Sequence, residues 1–512
     1  MTKILDCTLR DGGYYTNWDF DTPTVQSYIH AINRLPIDYV EIGYRNKPGK
    51  TYLGKFGYCP SSVVQAIRRD CRKKIAVMLN EKDVRPEDLD ELLLPVAGDV
   101  DMIRLAVSPN NFDRAVTLAR SVKAMGFEVG FNCMYMSKWT AEYTGFISKL
   151  GALDGICDLF CMVDSFGGIT PDEIKHIYAD VRKYTSVPVG FHGHNNLQLG
   201  LINTLTAIAL GIDYVDTTIL GMGRGAGNLN TELLLTYLNA HEGLDIDFNV
   251  LGNVISSFMP LFEHYRWGTN LPYMIAGANG IPQKEVMEWV TNRIYSFNSI
   301  VRALQNKKLN KEDNAKFPEY TDPAKFSRVI VVAGGEMVKT HIEGIKEFIR
   351  QEPGSALIFV TARHAALFED VKCAKFYTLV GTECKRMKEN VNHDSFDDTV
   401  ILPPYPRAMG TDVPDFTLER TYELPRIDFI DGFSDSSTAI ALQLAINISD
   451  GRIFSVGYDG YRGNILSEKE MTLTRENRDL FTAFEKATGS KLCSLTPSIF
   501  RELHVESLYQ FI

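Results

Sequence analysis

Apolar residues recur in short unbroken runs along the first 220 residues, at 4–8, 39–44, 75–79, 102–107, 129–135, 159–164, 187–192 and 214–219. Longer stretches with amphipathic spacing separate them, as at 61–69 and 111–125. Unbroken runs of Val, Ile, Leu, Phe and Met predict strands covered on both faces. Their alternation with amphipathic helices predicts a parallel α/β sheet. Eight such units over this length predict a closed (β/α)8 TIM barrel, with an open doubly wound sheet as the structural alternative. Helical patterning continues from about Thr231 through Leu304, a helical extension of the barrel.

The pattern then changes. Residues 305–326 read QNKKLNKEDNAKFPEYTDPAKF, polar and charged with two prolines, which predicts a linker. From Arg328, the strand RVIVVAGG opens a second series, continued by apolar runs at 356–360, 376–380, 399–402 and 452–456. The expected division is a barrel at 1–305, a linker at 306–326 and a second α/β domain at 327–512.

Composition narrows the class. A chain of 512 residues exceeds one hydrophobic core, in line with two domains. The 45% hydrophobic and 23% charged content is that of an ordinary globular protein. A net charge of −10 argues against nucleic acid and anionic membranes as partners. The nine cysteines form no CxxC pair, which excludes a zinc ribbon or redox motif, and an odd number of thiols suits a reducing cytoplasm. MTKILDCTLRDGG runs directly into a strand, so no targeting segment is expected there, and no apolar run reaches the roughly 18 residues of a membrane span.

Barrel active sites lie at the C-terminal ends of the strands. The first predicted strand delivers Arg10 and Asp11 there. The seventh delivers His192-Gly193-His194, and residues two apart on a strand face the same way, so both imidazoles can aim at one point. The intervening glycine is expected to leave room for a ligand. The eighth leads into GMGRGAGN, whose Asn228 offers a carboxamide oxygen. Barrel closure would bring Asp11, His192, His194 and Asn228 around one position. One carboxylate, two imidazoles and an amide oxygen suit a divalent metal acting as a Lewis acid, Mn²⁺ or Mg²⁺ first and Zn²⁺ second.

TLRDGG, HGH and GxGxxxGN in this order resemble the DRE-TIM metallolyases. These include 4-hydroxy-2-oxovalerate aldolases, 3-hydroxy-3-methylglutaryl-CoA lyases and isopropylmalate and homocitrate synthases. The resemblance covers about residues 1–300. It implies a metal on Asp11, His192 and His194, with Asn228 as a further ligand. It also implies an enolate-stabilising role for Arg10, and a lining of the site by Glu41 in VEIGYR and Ser165 in VDSFGG. One position departs: the oxovalerate aldolases carry a catalytic His three residues after the metal Asp, where this chain has Tyr14. A phenol with a pKa near about 10 is a poorer base at neutral pH. The expected activity is an aldolase or lyase acting beside a 2-oxo acid, with an aldehyde as partner and a homo-oligomeric assembly. The alternatives are an acyl-CoA-condensing synthase and a non-catalytic barrel that carries the second domain.

In the second domain, VVAGGE predicts a strand and turn able to cradle a phosphate, and SDSST before AIALQLAIN predicts either helix capping or a ligand site. With IFSVGYDGY, these resemble Rossmann-like domains of sialyltransferase and pterin-pyrophosphokinase-related groups. The resemblance implies a nucleotide or sugar nucleotide as ligand.

Overall fold

The computed structural model of the chain describes residues 2–49, 52–291, 297–310, 316–321, 324–381, 383–407, 411–461 and 468–512. Within the expected linker, residues 311–315 and 322–323 lie outside the described residues. By internal contacts the chain divides into two compact units, Met1–Met287 and Glu288–Ile512.

In the first unit, eight parallel strands follow one another around a closed barrel. They are β1 (Lys3–Asp6), β2 (Tyr39–Tyr44), β3 (Lys74–Asn80), β4 (Met102–Val107), β5 (Glu128–Cys133), β6 (Leu159–Asp164), β7 (Val189–Gly193) and β8 (Tyr214–Thr217). Pairing of Lys3–Asp6 with Tyr214–Thr217 closes the ring. Burial on both faces explains the unbroken apolar runs. Ile4, Val40, Ile75 and Ile103 pack outward under the helices, whereas Leu5, Tyr39, Met102, Leu159 and Tyr214 fill the floor of the lumen. Helices Thr231–Glu242, Phe248–Tyr265 and Leu271–Ala278 follow β8.

One difference from expectation affects the site. The first strand stops at Asp6, and Thr8–Asp11 form a helical turn. The Asp6 carboxylate accepts from the Thr8 amide at 3.0 Å and the Thr8 hydroxyl at 2.6 Å, a local bond that competes with extended backbone. Tyr28 and Thr231 also donate to Asp6, each at 2.6 Å, so this carboxylate ties the turn to a flanking helix and to the chain after β8.

The second unit holds one parallel sheet of eight strands. They are β9 (Phe326–Val332), β10 (Ser355–Phe359), β11 (Ala374–Thr378), β12 (Thr399–Leu402), β13 (Thr421–Glu423), β14 (Ser449–Val456), β15 (Cys493–Ser494) and β16 (His504–Val505). Their order is β13-β12-β11-β10-β9-β14-β15-β16, a doubly wound arrangement that reverses between β9 and β14. Ile330 and Val332 face one core and Val329 and Val331 the other, so helices cover both sides. The predicted Gly-rich turn follows β9, but the Met337 amide there donates to the Asp459 carboxylate at 2.9 Å, and a side chain thus occupies that donor. Ser436 accepts from the Ala439 amide at 3.4 Å and caps the helix Ser437–Ile448, the capping role of the SDSST run. Among the described residues, no helix is long and apolar enough to cross a membrane.

Candidate active site

The C-terminal mouth of the barrel gathers the residues singled out from the sequence. Asp11 reaches it from the helical turn after β1, His192 from β7, and His194 from just beyond β7, where it pairs with Asn228 in an isolated antiparallel bridge. The two imidazole centroids lie 4.9 Å apart at 74°. His192 Nε2 stands 3.6 Å from Asp11 Oδ2, and Asn228 Nδ2 donates to the same oxygen at 2.6 Å. All four side chains are buried.

Each histidine is held through its other nitrogen. His192 Nδ1 bonds the Asp216 carboxylate at 2.8 Å, and His194 Nδ1 bonds the Asp164 carbonyl oxygen at 2.8 Å. With Nδ1–H donated in both, the Nε2 atoms carry the free lone pairs, the arrangement of metal-ligating histidines. Asn228 Oδ1 is buried without a partner among the described residues, an orphaned oxygen suited to a cation. Gly193 does not open the way for a ligand as expected. A Cβ there would stand 2.9 Å from the Phe191 ring, so the glycine accommodates that aromatic.

Charge supports the same reading. Burial acts to raise the Asp11 pKa, but Arg10, His192, His194 and the Asn228 amide hold it below the usual carboxylate value. Burial, joined by the neighbouring His192, pushes His194 down to about 3, which keeps its imidazole neutral. A carboxylate, two imidazoles held through Nδ1 and a lone amide oxygen therefore fit a divalent cation.

Arg10 lies against this group. Its Nη1 pairs with Asp11 Oδ1 and its Nε donates to Glu41 Oε2 at 2.7 Å. Glu41 Oε1 has no partner among the described residues. The Tyr14 hydroxyl lies 3.3 Å from that of Tyr44, with the Arg224 guanidinium 5.3 Å above the Tyr14 ring. Tyr15 instead donates to the Gly225 carbonyl at 3.1 Å and anchors the glycine-rich loop. Ser165 stands at the end of β6 and accepts from the Tyr135 amide at 2.9 Å, a bond within the mouth that does not reach the Asp11 group. The helix Leu271–Ala278 is tied to the loop after β7 by Asn196, which donates to the Tyr273 carbonyl at 2.9 Å.

Sequence reasoning missed Cys7, Asp216 and Arg104. Cys7, His192 and Asp216 place ligand-type atoms within 4.8 Å of one another. Burial, reinforced by Asp11, pushes the Cys7 thiol pKa well up, so it stays protonated, and its S–H faces Asp11 Oδ2 at 3.7 Å. Burial would raise the Asp216 carboxyl, but Arg104 and His192 hold it at about 2. Arg104, from β4, is fully buried beneath the mouth. The only hints were the charged letters inside the apolar runs MIRLAV and YVDT.

Comparison with known proteins agrees with this geometry. A family profile described as HMGL-like matches residues 100–254. The 4-hydroxy-2-oxovalerate aldolase of Thermomicrobium roseum is 30% identical over 255 residues, 48% of this chain and 69% of the relative. That of Chloroflexus aggregans is 31% identical over 48% of this chain and 72% of the relative. The oxaloacetate decarboxylase of Mycobacterium tuberculosis is 28% identical over 46% and 69%. Among solved structures, the N-terminal domain of an aldolase candidate from Bacteroides vulgatus is 70% identical, with a TM-score of 0.56 over 59% of this chain and 99% of that one. The chain belongs to the HMGL-like family, the DRE-TIM metallolyases whose motifs its barrel carries.

Proposed function

We propose that the barrel is a divalent-metal-dependent lyase that cleaves or forms a carbon–carbon bond beside a 2-oxo acid. The observation that carries this reading is the convergence of Asp11, His192, His194 and the unpartnered Asn228 oxygen beside the Arg10 guanidinium. Asp11, His192 and His194 would hold Mn²⁺ or Mg²⁺, with Asn228 Oδ1 as a further ligand. The cation, when bound, supplies Lewis acidity toward the oxygens of the 2-oxo acid. Arg10 supplies a fixed positive charge where negative charge grows on the keto oxygen as the bond breaks. Burial and the Glu41 contact keep that guanidinium in place before the reaction. In aldol cleavage, the C4 hydroxyl proton leaves as the aldehyde forms, and a proton returns to C3 of the enolate. Tyr14 is the group assigned to this exchange, with Tyr44 hydrogen-bonded behind it.

A second reading rests on Tyr14 itself. Decarboxylation of a 2-oxo acid bearing a β-carboxylate passes through the same enolate but removes no hydroxyl proton. It needs only a proton donor at C3, and a neutral phenol is a better acid than base at neutral pH. The test is one assay with two substrates. Pyruvate release from a 4-hydroxy-2-oxo acid, with the aldehyde detected, supports the aldolase, and release from oxaloacetate above the metal-only rate supports the decarboxylase. A metal-loaded chain that releases pyruvate from neither refutes both.

For residues 327–512 we propose a ligand-binding role at the C-terminal ends of β9 and β14, where the strand order reverses. Asp459 Oδ1 and His364 Nδ1 lack partners there among the described residues. Both are acceptors, because His364 Nε2 donates to the Gly334 and Gly335 carbonyls. This favours the hydroxyls of a sugar or sugar nucleotide. Titration calorimetry with a nucleoside diphosphate and its sugar ester tests this reading, and equal absence of heat for both refutes it.

A further inference from the structure

TIM barrels fill their lumen with layers of four side chains from alternate strands, and bulky branched apolar residues dominate these layers. The floor of this barrel follows the rule with Tyr39, Met102, Leu159 and Tyr214 from β2, β4, β6 and β8. Two residues further along the same strands stand Glu41, Arg104, Cys161 and Asp216. Three of these four are charged, and all lie beneath the metal position.

The charged residues form a circuit. Arg104 Nη1 donates to Glu41 Oε2 at 3.1 Å, and Arg10 Nε donates to the same oxygen at 2.7 Å. Arg104 Nη2 donates to Asp216 Oδ2 at 2.6 Å, and that oxygen also receives His192 Nδ1 at 2.8 Å. His192 Nε2 faces Asp11 Oδ2 at 3.6 Å, and Asp11 pairs with Arg10. The path Arg10–Glu41–Arg104–Asp216–His192–Asp11 therefore returns to its start. Both halves of the circuit meet on Arg104. Its Nε is engaged too, donating to Asn132 Oδ1 at 3.0 Å. Room for its stem comes from Gly130 on the adjacent strand β5, where a Cβ would lie 2.9 Å from Arg104 Cγ.

We infer that Arg104 is a positioning residue of the reaction. Through Asp216 it fixes the His192 tautomer that presents Nε2, and through Glu41 it fixes the direction of Arg10. An apolar residue would fill the layer equally well but would leave the buried Asp216 carboxylate without its guanidinium, Glu41 with Arg10 alone, and His192 free to exchange tautomers. A lysine keeps the charge but not the fork that bonds Glu41, Asp216 and Asn132 together.

The inference rests on the lyase reading for its purpose, and its test does not. In the full chain, freed of metal and labelled with ¹⁵N-histidine, His192 is assigned by loss of its signals in His192→Gln. The expected wild-type state is the single Nδ1–H tautomer. In Arg104→Met, His192 is expected to become a tautomer mixture, Mn²⁺ affinity to fall by about tenfold or more, and Arg104→Lys to recover part of both. Should Arg104→Met fail to fold, Asp216→Asn breaks the same path without changing its shape and carries the same expectations. A folded Arg104→Met or Asp216→Asn chain with the wild-type tautomer and Mn²⁺ affinity within twofold of wild type overturns the inference. A wild-type chain inactive on every 2-oxo acid would refute the lyase reading while leaving the tautomer comparison to decide this one.

Discussion

Replacing Gly223 with alanine is expected to weaken divalent-cation binding by about 10- to 100-fold while leaving the barrel folded. A Cβ at this position would lie 2.8 Å from Asn228 Nδ2 and 2.9 Å from its Cγ and Oδ1. Ordinary contact begins near 3.4 Å, so the amide must retreat by about 0.5 Å. Gly223 is not among the left-handed glycines, so the alanine brings no backbone strain to confuse the result. The retreating amide holds Asp11 Oδ2 through a 2.6 Å bond. A hydrogen bond to a charged acceptor contributes about 1.5–3 kcal/mol. A 10- to 100-fold loss of affinity is about 1.4–2.8 kcal/mol, so the two estimates agree. Calorimetric titration of Mn²⁺ into metal-free protein measures the effect, with Asn228→Ala beside it. If Asn228→Ala binds weakly and Gly223→Ala binds normally, the steric argument is wrong. If both bind normally, Asn228 does not belong to the metal site.

Other outcomes follow from the same geometry. Tyr28→Phe removes a buried 2.6 Å bond to the Asp6 carboxylate and should lower the unfolding free energy of the barrel by about 1.5–3 kcal/mol in urea. A change near zero would mean that Thr8 and Thr231 satisfy Asp6 alone. Tyr14→Phe should reduce kcat by a factor on the order of 10²–10⁴ with little change in Mn²⁺ affinity, and full activity would reduce Tyr14 to a packing residue. Burial lowers the His364 pKa from its ordinary 6.5, so the unfolded chain takes up this proton more readily than the folded one. The second unit should therefore keep its full stability above pH 6.5 and lose some as pH falls below it. His364→Gln should flatten that slope, and an unchanged slope would assign it to other groups.

Much of the barrel was legible because parallel strands covered on both faces leave continuous apolar runs. The limits of β2, β4 and β6 coincide with the predicted ones. The HGH spacing was readable because its residues sit at the end of β7, where polar letters interrupt an apolar pattern, and DGG was readable from its letters although Asp11 lies beyond β1. The helical turn at Thr8–Asp11 was not, since it depends on the Asp6 side chain bonding backward onto Thr8. Strands β13, β15 and β16 escaped for a different reason: at two or three residues they are too short to show any period. Arg104 and Asp216 lie 112 positions apart, and nothing local to either one announces the other. A charged letter in an apolar strand signals a buried pair only once the barrel supplies the partner.

The 217-residue separation of Asp11 and Asn228 also bears on how the protein folds. The proposed cation ligands that follow the first and last strands come together only after the ring has shut, the step with the largest loop-closure entropy in this unit. A chain still lacking β8 would carry Asp11, His192 and His194 but not the ladder that sets them together. On the proposed metal reading, cation binding would draw its free energy from the closed state alone and act as a latch on the seam between β1 and β8. Removal of the ion should loosen that seam first, in hydrogen exchange at Lys3–Asp6 and Tyr214–Thr217, while the sheet of the second unit keeps its protection.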